Sequence, residues 1–559
     1  MKKVLTIKDN STLRDSLKRI KRNSKSNFLP NFFAIIDKNK KLIGALTDGD
    51  LRRNFAENDS MDKSIKLCMN KNPVFLTIKQ LKNREFDLLK ENLRKRKRNI
   101  QDIFITNENK KIIGAISYKE IFNSDVGQET IVSVIGMGFV GLTVACHIAS
   151  KDFKVRAIDK NKKIIGDLKR GKPHFYEPHL QENIKINSKE KRLIFSNELK
   201  KSSYYIVSAG TPLTNKNKPD LSHIYEVLDS IVSAGLNNSV VVMRSTIPLG
   251  SSLSSIIPYL EKKSSLKCGV DWSYCYAPER TIEGNALDEL KTLPQLFSGF
   301  SKNCNEISRT FLNLVFDNLV LMDSIEAAEL SKLACNSYRD LSFAFANEIS
   351  NICEDLQVDS KRLIEQVNYE YPRSTIALPS PGVGGYCLTK DPIIYSNPLK
   401  KLSSKPKSGC FSREINEHAA KSPYRSLIKF SKRNNLKLSD LNILVIGIAF
   451  KGFPKTDDYR FSTGVDFCNL IQNKVKKLWV KDFEIDSKKI NQLGFKNLIS
   501  IKKVDAIFIL NNHEKNSDIV LLDWLQKKSK KLLYDGWGQK TNLKNYDDKN
   551  FFYSTLGKL

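Results

Sequence analysis

The stretch IVSVIGMGFVGLTVACHIA, starting at Ile131, constrains the fold of this chain more than any other. It opens with an apolar, β-branched run, continues through Gly136, Gly138 and Gly141 in G-x-G-x-x-G order, and ends in a helical pattern. Asp159 closes the next apolar run, KVRAID. Strand, glycine turn, helix, strand and carboxylate in this order specify the first βαβ unit of a doubly wound parallel sheet. Gly136 suits the tight turn, Gly138 lets a pyrophosphate approach the backbone, and Gly141 lets helix and strand close up. Phe139 and Val140 open the helix, whose free N–H groups and positive dipole end favour phosphate. A carboxylate at position 159 suits a ribose 2′-hydroxyl and opposes a 2′-phosphate, so the expected cofactor is NAD.

Two later runs, YYIVSAGTP (204–212) and SVVVMRSTIPLG (239–250), are apolar and break into Gly/Thr/Pro turns. The C-terminal edge of such a sheet is where ligands sit, so Thr211, Ser245 and Thr246 are candidates for cofactor and substrate contacts. Hydroxyls in turns also have ordinary capping uses.

At 559 residues the chain is too long for a single core. Its formal net charge of +31 raises the question of nucleic acid. The lysines are spread over every segment, as in KNKK and KKSKK, which fits a solvated surface, and no nucleic-acid partner is expected. The ten cysteines include no C-x-x-C pair, so neither a zinc ribbon nor another metal site is expected, and their scatter suggests reduced thiols in a cytoplasmic setting. The start, MKKVLTIKDNSTL, lacks a signal-peptide core, and the glycine-rich run 131–150 reads as strand and helix rather than a membrane span.

The front of the chain repeats itself. FAIIDKNKKLIGALTDGDLRR (33–53) aligns with IFITNENKKIIGAISYKEIFN (103–123), and VLTIKDN (4–10) with FLTIKQL (75–81). Two such units are expected to share one core. The pattern, over residues 1–125, resembles a tandem CBS domain pair. The resemblance implies either an adenine-nucleotide cleft between the repeats, with Asp48 and Asp50 of the TDGD segment near the ribose, or a pair that only mediates dimer contacts. Tyr118 stands where Asp48 does in the first repeat, which implies at most one complete site. RKRKR (94–98) reads as a solvated helix face and SDVGQET (124–130) as a linker.

PSPGVGGYCLTKDP (379–392) crowds three glycines before a cysteine. Gly384 and Gly385 would let a ligand lie across the backbone, with a helix starting near Tyr386. Cys387 would then sit in its first turn, where the dipole and Lys390 are expected to lower the thiol's pKa. Asp391 follows at i+4 on the same face, placed to act on a proton or a water. Upstream, a helical region from about Ser324 to Gln366 puts Lys332 and Asn336 on one face, an amine and an amide able to hold an oxyanion and a sugar hydroxyl, although the plainer reading of such a pair is solvated polar residues on an amphipathic helix.

From about residue 130 to the end, the chain resembles the UDP-glucose/GDP-mannose dehydrogenase family. VIGMGFVGL, GTPL, STIPLGSS, YAPERTIEGNALDEL, AELSKLACNSYRD, YPR, GVGGYCLTKDP and VIGIAFKGFPKTDDYRFS carry the resemblance, in order. It implies an α/β fold of two Rossmann-like doubly wound domains joined by a long central helix, preceded by the α+β CBS pair. The expected divisions are 1–125, an NAD domain at 130–323, a central helical and cysteine region at 324–420, and a UDP-sugar domain at 421–559.

The resemblance implies oxidation of the C6 alcohol of a UDP-sugar to a carboxylate, for surface polysaccharide synthesis, with two NAD per sugar and a thiohemiacetal and thioester on Cys387. Lys332 would stabilise the oxyanion, Asn336 orient the reacting oxygen, Asp391 and Thr246 position water or relay protons, and Glu279 serve thioester hydrolysis. Glu283 and Lys390 would meet the cofactor, and Arg373, Lys451 and Arg460 the sugar nucleotide. Tyr459 departs from relatives' small or aliphatic residue. GVGGYCLTKDP and the YPR spacing resemble the UDP-N-acetylhexosamine branch (GlcNAc or ManNAc type) more than the UDP-glucose branch, which stays the alternative. A catalytically inactive nucleotide sensor is the remote one. A homodimer through the central helix is implied.

Overall fold

A computed structural model describes residues 2–22, 28–47, 49–51, 62–83, 102–117, 131–498, 500–525, 529–543, 546 and 549–558. The chain divides into two units, 1–130 and 131–559.

In the first unit, β1 (Lys3–Lys8) pairs parallel with β2 (Phe28–Ile36), which pairs antiparallel with β3 (Leu42–Thr47). The second repeat reproduces this with β4 (Phe75–Thr77), β5 (Asp102–Thr106) and β6 (Ile112–Ser117). The repeats interlock rather than merely touch. Ala115 of β6 bridges Lys2, just ahead of the first repeat, and Ala45 of β3 bridges Asn70, just ahead of the second. Phe32 stacks on Phe104 at 4.2 Å, and Val4, Ala34, Leu42, Ala45, Phe104 and Ala115 form one core drawn from both repeats. Each three-stranded sheet is too small to bury its own apolar face, which is the physical reason for the pairing.

The second unit contains two sheets. In the larger, β7 (Ile131–Ile135), β8 (Lys154–Ile158), β9 (Leu193–Ser196), β10 (Tyr204–Val207), β11 (Val240–Met243) and β12 (Ser273–Tyr276) take the order β9-β8-β7-β10-β11-β12, all parallel. β13 (Gln295–Gly299) adds antiparallel to β12, and β14 (Leu319–Leu321) extends the edge. The smaller sheet joins β15 (Asn442–Ile446), β16 (Lys477–Lys481), β17 (Lys496–Asn497), β18 (Ala506–Ile509), β19 (Lys531–Asp535) and β20 (Phe551–Ser554) in the order β17-β16-β15-β18-β19-β20. Both orders read 3-2-1-4-5-6, the doubly wound arrangement whose ligand crevice lies beyond the carboxyl ends of the central strands. The stretch 131–150 is accordingly β7 and helix α1 (Phe139–Ser150), and no described helix is long and apolar enough to cross a membrane.

Between the sheets runs α2 (Ile325–Leu356), 32 residues capped by the Ser324 side chain on the Ala327 N–H. The helical region expected to reach Gln366 is broken: Gln357 turns left-handed at φ 53°, and Asp359 caps a separate helix over Ser360–Asn368. The Asp-Ser start signal outweighs the continuing apolar pattern. Helices α3 (Tyr386–Tyr395) and α4 (Ser408–Ala419) pack on α2. Asp340 of α2 takes Arg413 at 2.8 Å, Ser412 at 2.6 Å and Asn416 at 2.8 Å, all inside the protein. Arg413 in turn donates to the carbonyls of Val383 and Leu388. Pro392 has no N–H for the Leu388 carbonyl, so the guanidinium takes its place. This network fixes the glycine loop and the start of α3.

Candidate active site

Cys387 is the second residue of α3, which starts after Gly385 at φ 88°. A Cβ on Gly385 would lie 2.7 Å from the Phe450 ring, and one on Gly384 2.5 Å from the Phe461 carbonyl. The close approach these glycines permit is therefore to the protein's own 450–461 loop, which follows β15. From the sequence alone, that space is expected to serve a ligand and the turn into the helix near Tyr386.

The Cys387 side chain is open to solvent, yet its surroundings set its acidity in the direction opposite to the one expected. Desolvation pushes the thiol up and the Asp391 carboxylate adds to this, while Lys332 and Lys390 pull the other way. The helix start and one lysine do not outweigh a crowded cleft with an anion beside it.

Lys332 is buried, and among the described residues no protein group accepts a hydrogen bond from its ammonium. One turn on, Asn336 donates to Asp391 Oδ2 at 2.6 Å, and Lys390 donates to Asp391 Oδ1 at 2.5 Å. Asp391 is fully buried. α2 and α3 thus bring Lys332, Asn336, Cys387 and Asp391 together, and the Lys390 ammonium lies on Asp391 and over the Tyr386 ring.

Glu279 follows β12. Arg244, at the end of β11, donates to its Oε2, while the N–H groups of Arg280 and Thr281 donate to Oε1 at 2.8 and 3.0 Å. Burial alone would push this carboxyl up; Arg244, the Thr281 N–H and Lys332 outweigh it and hold the group below the usual range. Glu279 is a fixed anion in this state. Arg244 is a residue the sequence reading passed over; an arginine closing an apolar strand was the available signal.

The Thr211 hydroxyl donates to the Thr246 carbonyl at 2.6 Å, tying the ends of β10 and β11. Thr246 is buried and its hydroxyl has no protein partner among the described residues.

Glu283 lies against the 450–461 loop. Its carbonyl accepts from Lys451 at 2.6 Å, and its carboxylate faces Thr456 at 3.5 Å and Arg460 at 3.7 Å. Arg460 pairs with Asp458 through Nε and Nη2 and lies 5.2 Å over the Tyr386 ring. Arg373 is exposed and lies 5.4 Å over the Tyr371 ring, and no contact among the described residues brings it to Cys387.

At the other edge, Gly136 adopts φ 95°, and Asp159 Oδ2 accepts from the Met137 N–H at 2.7 Å, bracing the turn. A Cβ on Gly138 would meet nothing within 4 Å, so open space lies over the start of α1. Phe139 and Val140 carry the first N–H groups of the helix, which have no intrahelical acceptor. Space, donors and carboxylate together fit a dinucleotide. In the first unit, the Asp50 carboxylate accepts from the Thr47 hydroxyl at 2.7 Å and from its N–H at 3.1 Å, a local cap. Asp48, Tyr118, 94–98 and 124–130 lie outside the described residues.

Residues 130–317 match the NAD-binding domain of the UDP-glucose/GDP-mannose dehydrogenase family, 326–418 match its central domain, and 1–57 match the CBS domain. A UDP-N-acetyl-D-mannosamine dehydrogenase from Campylobacter jejuni is 30% identical over 347 residues, 60% of this chain and 82% of the relative. One from Pyrococcus horikoshii is 29% identical over 354 residues, 63% and 83% of the two chains. The solved structure of the UDP-D-ManNAc dehydrogenase from Pyrococcus horikoshii superposes with a TM-score of 0.68 at 26% identity, covering 77% of this chain and 99% of that one.

Proposed function

Because the chain belongs to the UDP-glucose/GDP-mannose dehydrogenase family and is an NAD-dependent nucleotide-sugar dehydrogenase, we propose that it oxidises the C6 alcohol of a UDP-N-acetylhexosamine to the carboxylate. The convergence of Lys332, Asn336, Cys387 and Asp391 where α2 meets α3 carries this reading. The N-acetylmannosamine relatives favour that hexosamine over glucose.

NAD, when bound against Gly136–Gly141 and Asp159, accepts one hydride at each of two oxidations. The chain's own residues do the rest. Lys332, a buried ammonium without a protein acceptor among the described residues, holds the sugar's alkoxide and then the tetrahedral oxyanion. Asn336 orients the reacting oxygen. The first oxidation leaves an aldehyde, to which the Cys387 thiol adds across the C=O bond: sulfur bonds to carbon and the proton ends on oxygen. That addition is proton-neutral, so a thiol held protonated in the free protein is compatible with it. The second oxidation converts the thiohemiacetal to a thioester, and water cleaves it to carboxylate and thiol. Asp391 and Thr246 position that water or relay its proton. Glu279, pinned by Arg244, contributes a fixed negative charge near Lys332 rather than a free base.

Residues 130–323 would serve NAD, 324–420 the chemistry and dimerisation, and 421–559 the sugar nucleotide. Tyr338, Leu341, Phe345, Ile352 and Leu356 form an exposed apolar stripe along α2, which supports a homodimer. The CBS pair at 1–125 would take an adenine nucleotide and tune the rate.

NADH released per sugar, with UDP-GlcNAc, UDP-ManNAc and UDP-glucose in parallel, tests the reading. Two per sugar for one of the N-acetylhexosamines is expected. Cys387→Ser should lower carboxylate formation at least ~1,000-fold; a variant making uronic acid at the original rate would remove the cysteine from the mechanism.

A further inference from the structure

The 450–461 loop offers two cations to a diphosphate, but neither is free. Arg460 is held by Asp458 through two nitrogens, and Lys451 by the Glu283 carbonyl. Arg460 thus already faces two carboxylates, Asp458 at 2.6 Å and Glu283 at 3.7 Å. A diphosphate diester adds two further negative charges beside these carboxylates, in a partly desolvated cleft where like charges repel strongly.

We propose that Glu283 is a carboxylate latch: with Asp458 it stands in for the substrate's diphosphate at Arg460 and Lys451, and a nucleotide sugar binds by displacing it, with uptake of a proton by Glu283. This rests on the reading of the 450–461 loop as the diphosphate site.

Three observations select Glu283 as the group that takes the proton. It is loosely held, with Arg460 and Thr456 at 3.7 and 3.5 Å, whereas Asp458 grips Arg460 with both oxygens and also accepts its backbone N–H at 2.9 Å. It is already poised, since burial and the Asp458 charge push it up to about 7 against the pull of Arg460 and Lys451. The other acids nearby are committed: Glu177 accepts from the N–H groups of Gly284 and Ala286, and Glu289 from that of Ile282. Of the remaining groups facing the cluster, His174 on the 172–177 loop is pushed down by burial, Arg339 on α2 contributes a further guanidinium, and the Cys387 thiol on α3 is pushed up by burial. Lys451 is the second titrating group, brought down to about 8 by burial.

The test is calorimetric titration of the full chain with UDP-GlcNAc and with UDP-ManNAc, whose diphosphate diesters do not titrate near neutrality, in two buffers of different ionisation heat at about pH 7.5. Roughly half a proton or more should be taken up per sugar nucleotide bound, and affinity should fall toward about tenfold per pH unit above pH ~7. Glu283→Gln should cut the uptake to the share contributed by Lys451 and flatten the pH dependence. Binding without proton uptake, or uptake unchanged in Glu283→Gln, overturns the latch while leaving the dehydrogenase reading intact. Absence of both binding heat and NADH with either sugar overturns the two together. If Glu283→Gln does not fold, the proton count of the unaltered protein still decides, because its absence is sufficient to refute the latch.

Discussion

The two doubly wound sheets share a turn and diverge in the segment after it. In both, a glycine with positive φ ends the first strand, Gly136 at 95° and Gly447 at 90°, and its N–H donates to the end of the second strand, at Ile158 and Lys481. In both, a carboxylate after that second strand grips the turn: Asp159 takes the Met137 N–H, and Asp482 those of Ile448 and Ala449 at 2.7 and 2.9 Å. In the larger sheet the helix starts at once, at Phe139, and its N-terminus remains a phosphate cradle. In the smaller sheet the 450–461 loop intervenes before the helix opens at Thr463. One half can thus hold phosphate with backbone, and the other presents Lys451 and Arg460 as side chains. The same scaffold thus carries two different arrangements of donor groups through an insertion at one point.

The third glycine tests that equivalence most severely. A Cβ on Gly141 would lie 1.7 Å from the Gly136 carbonyl oxygen, and one on Gly464 2.6 Å from that of Gly447. Gly464 therefore does for the smaller sheet what Gly141 does for the larger. Gly141→Ala should destabilise the protein by about 3 kcal/mol or more and abolish NADH binding. Gly464→Ala should cost roughly 1–3 kcal/mol and raise the KM for the UDP-sugar while sparing that for NAD. Chemical denaturation and steady-state kinetics read both, and a Gly464→Ala variant impaired mainly in NAD would break the equivalence.

The carboxylates give a smaller contrast. Asp482 also accepts from the N–H groups of Glu484 and Ile485, so it is the more structural of the two. Asp159→Ala should raise the KM for NAD by about tenfold and narrow the preference over NADP, since the residue opposes a 2′-phosphate. Asp482→Ala should leave the NAD KM unchanged and cost about 1–3 kcal/mol by stripping buried N–H groups of their acceptor. Comparable NAD defects in both variants would show that bracing the turn, rather than contacting ribose, is what Asp159 does.

This pairing also marks where the sequence was legible. Gly136, Gly138 and Gly141 stand at short fixed spacing, and helical periodicity links Lys332 to Asn336 and Cys387 to Asp391, so local geometry was enough to form each pair; only the family resemblance joined the two pairs into one site. Gly464 was hidden because the inserted loop breaks the spacing. Arg244, the neighbours of Glu283, and Lys390 lying on Asp391 depend on packing between segments remote in sequence. The direction of the Cys387 thiol's shift depends on crowding, which a helix start does not reveal. The break after Leu356 shows the converse: an apolar pattern continued past the point where the backbone turned away.

The last contrast lies inside the helices that come after the two turns. α1 buries His147, whose Nε2 meets the Val315 carbonyl at 2.9 Å and whose ring stacks on Phe316, and burial brings its pKa down to about 4. The helix over Thr463–Ile471 buries Cys468 instead, which carries no charge in acid. An unfolded chain protonates His147 near pH 6.5 while the folded protein keeps it neutral until about pH 4. Its penalty is therefore absent above about pH 6.5 and grows as pH falls toward 4, by ~1.4 kcal/mol per unit. Urea unfolding should show a loss of about 2 kcal/mol from this group between pH 6.5 and pH 5. His147→Gln retains a donor for the Val315 carbonyl but cannot titrate, so its stability should fall by that much less over the same range. Equal acid slopes in the two proteins would mean that the imidazole takes up its proton without leaving the folded state, and that the core behind the NAD turn is no more acid-sensitive than its counterpart.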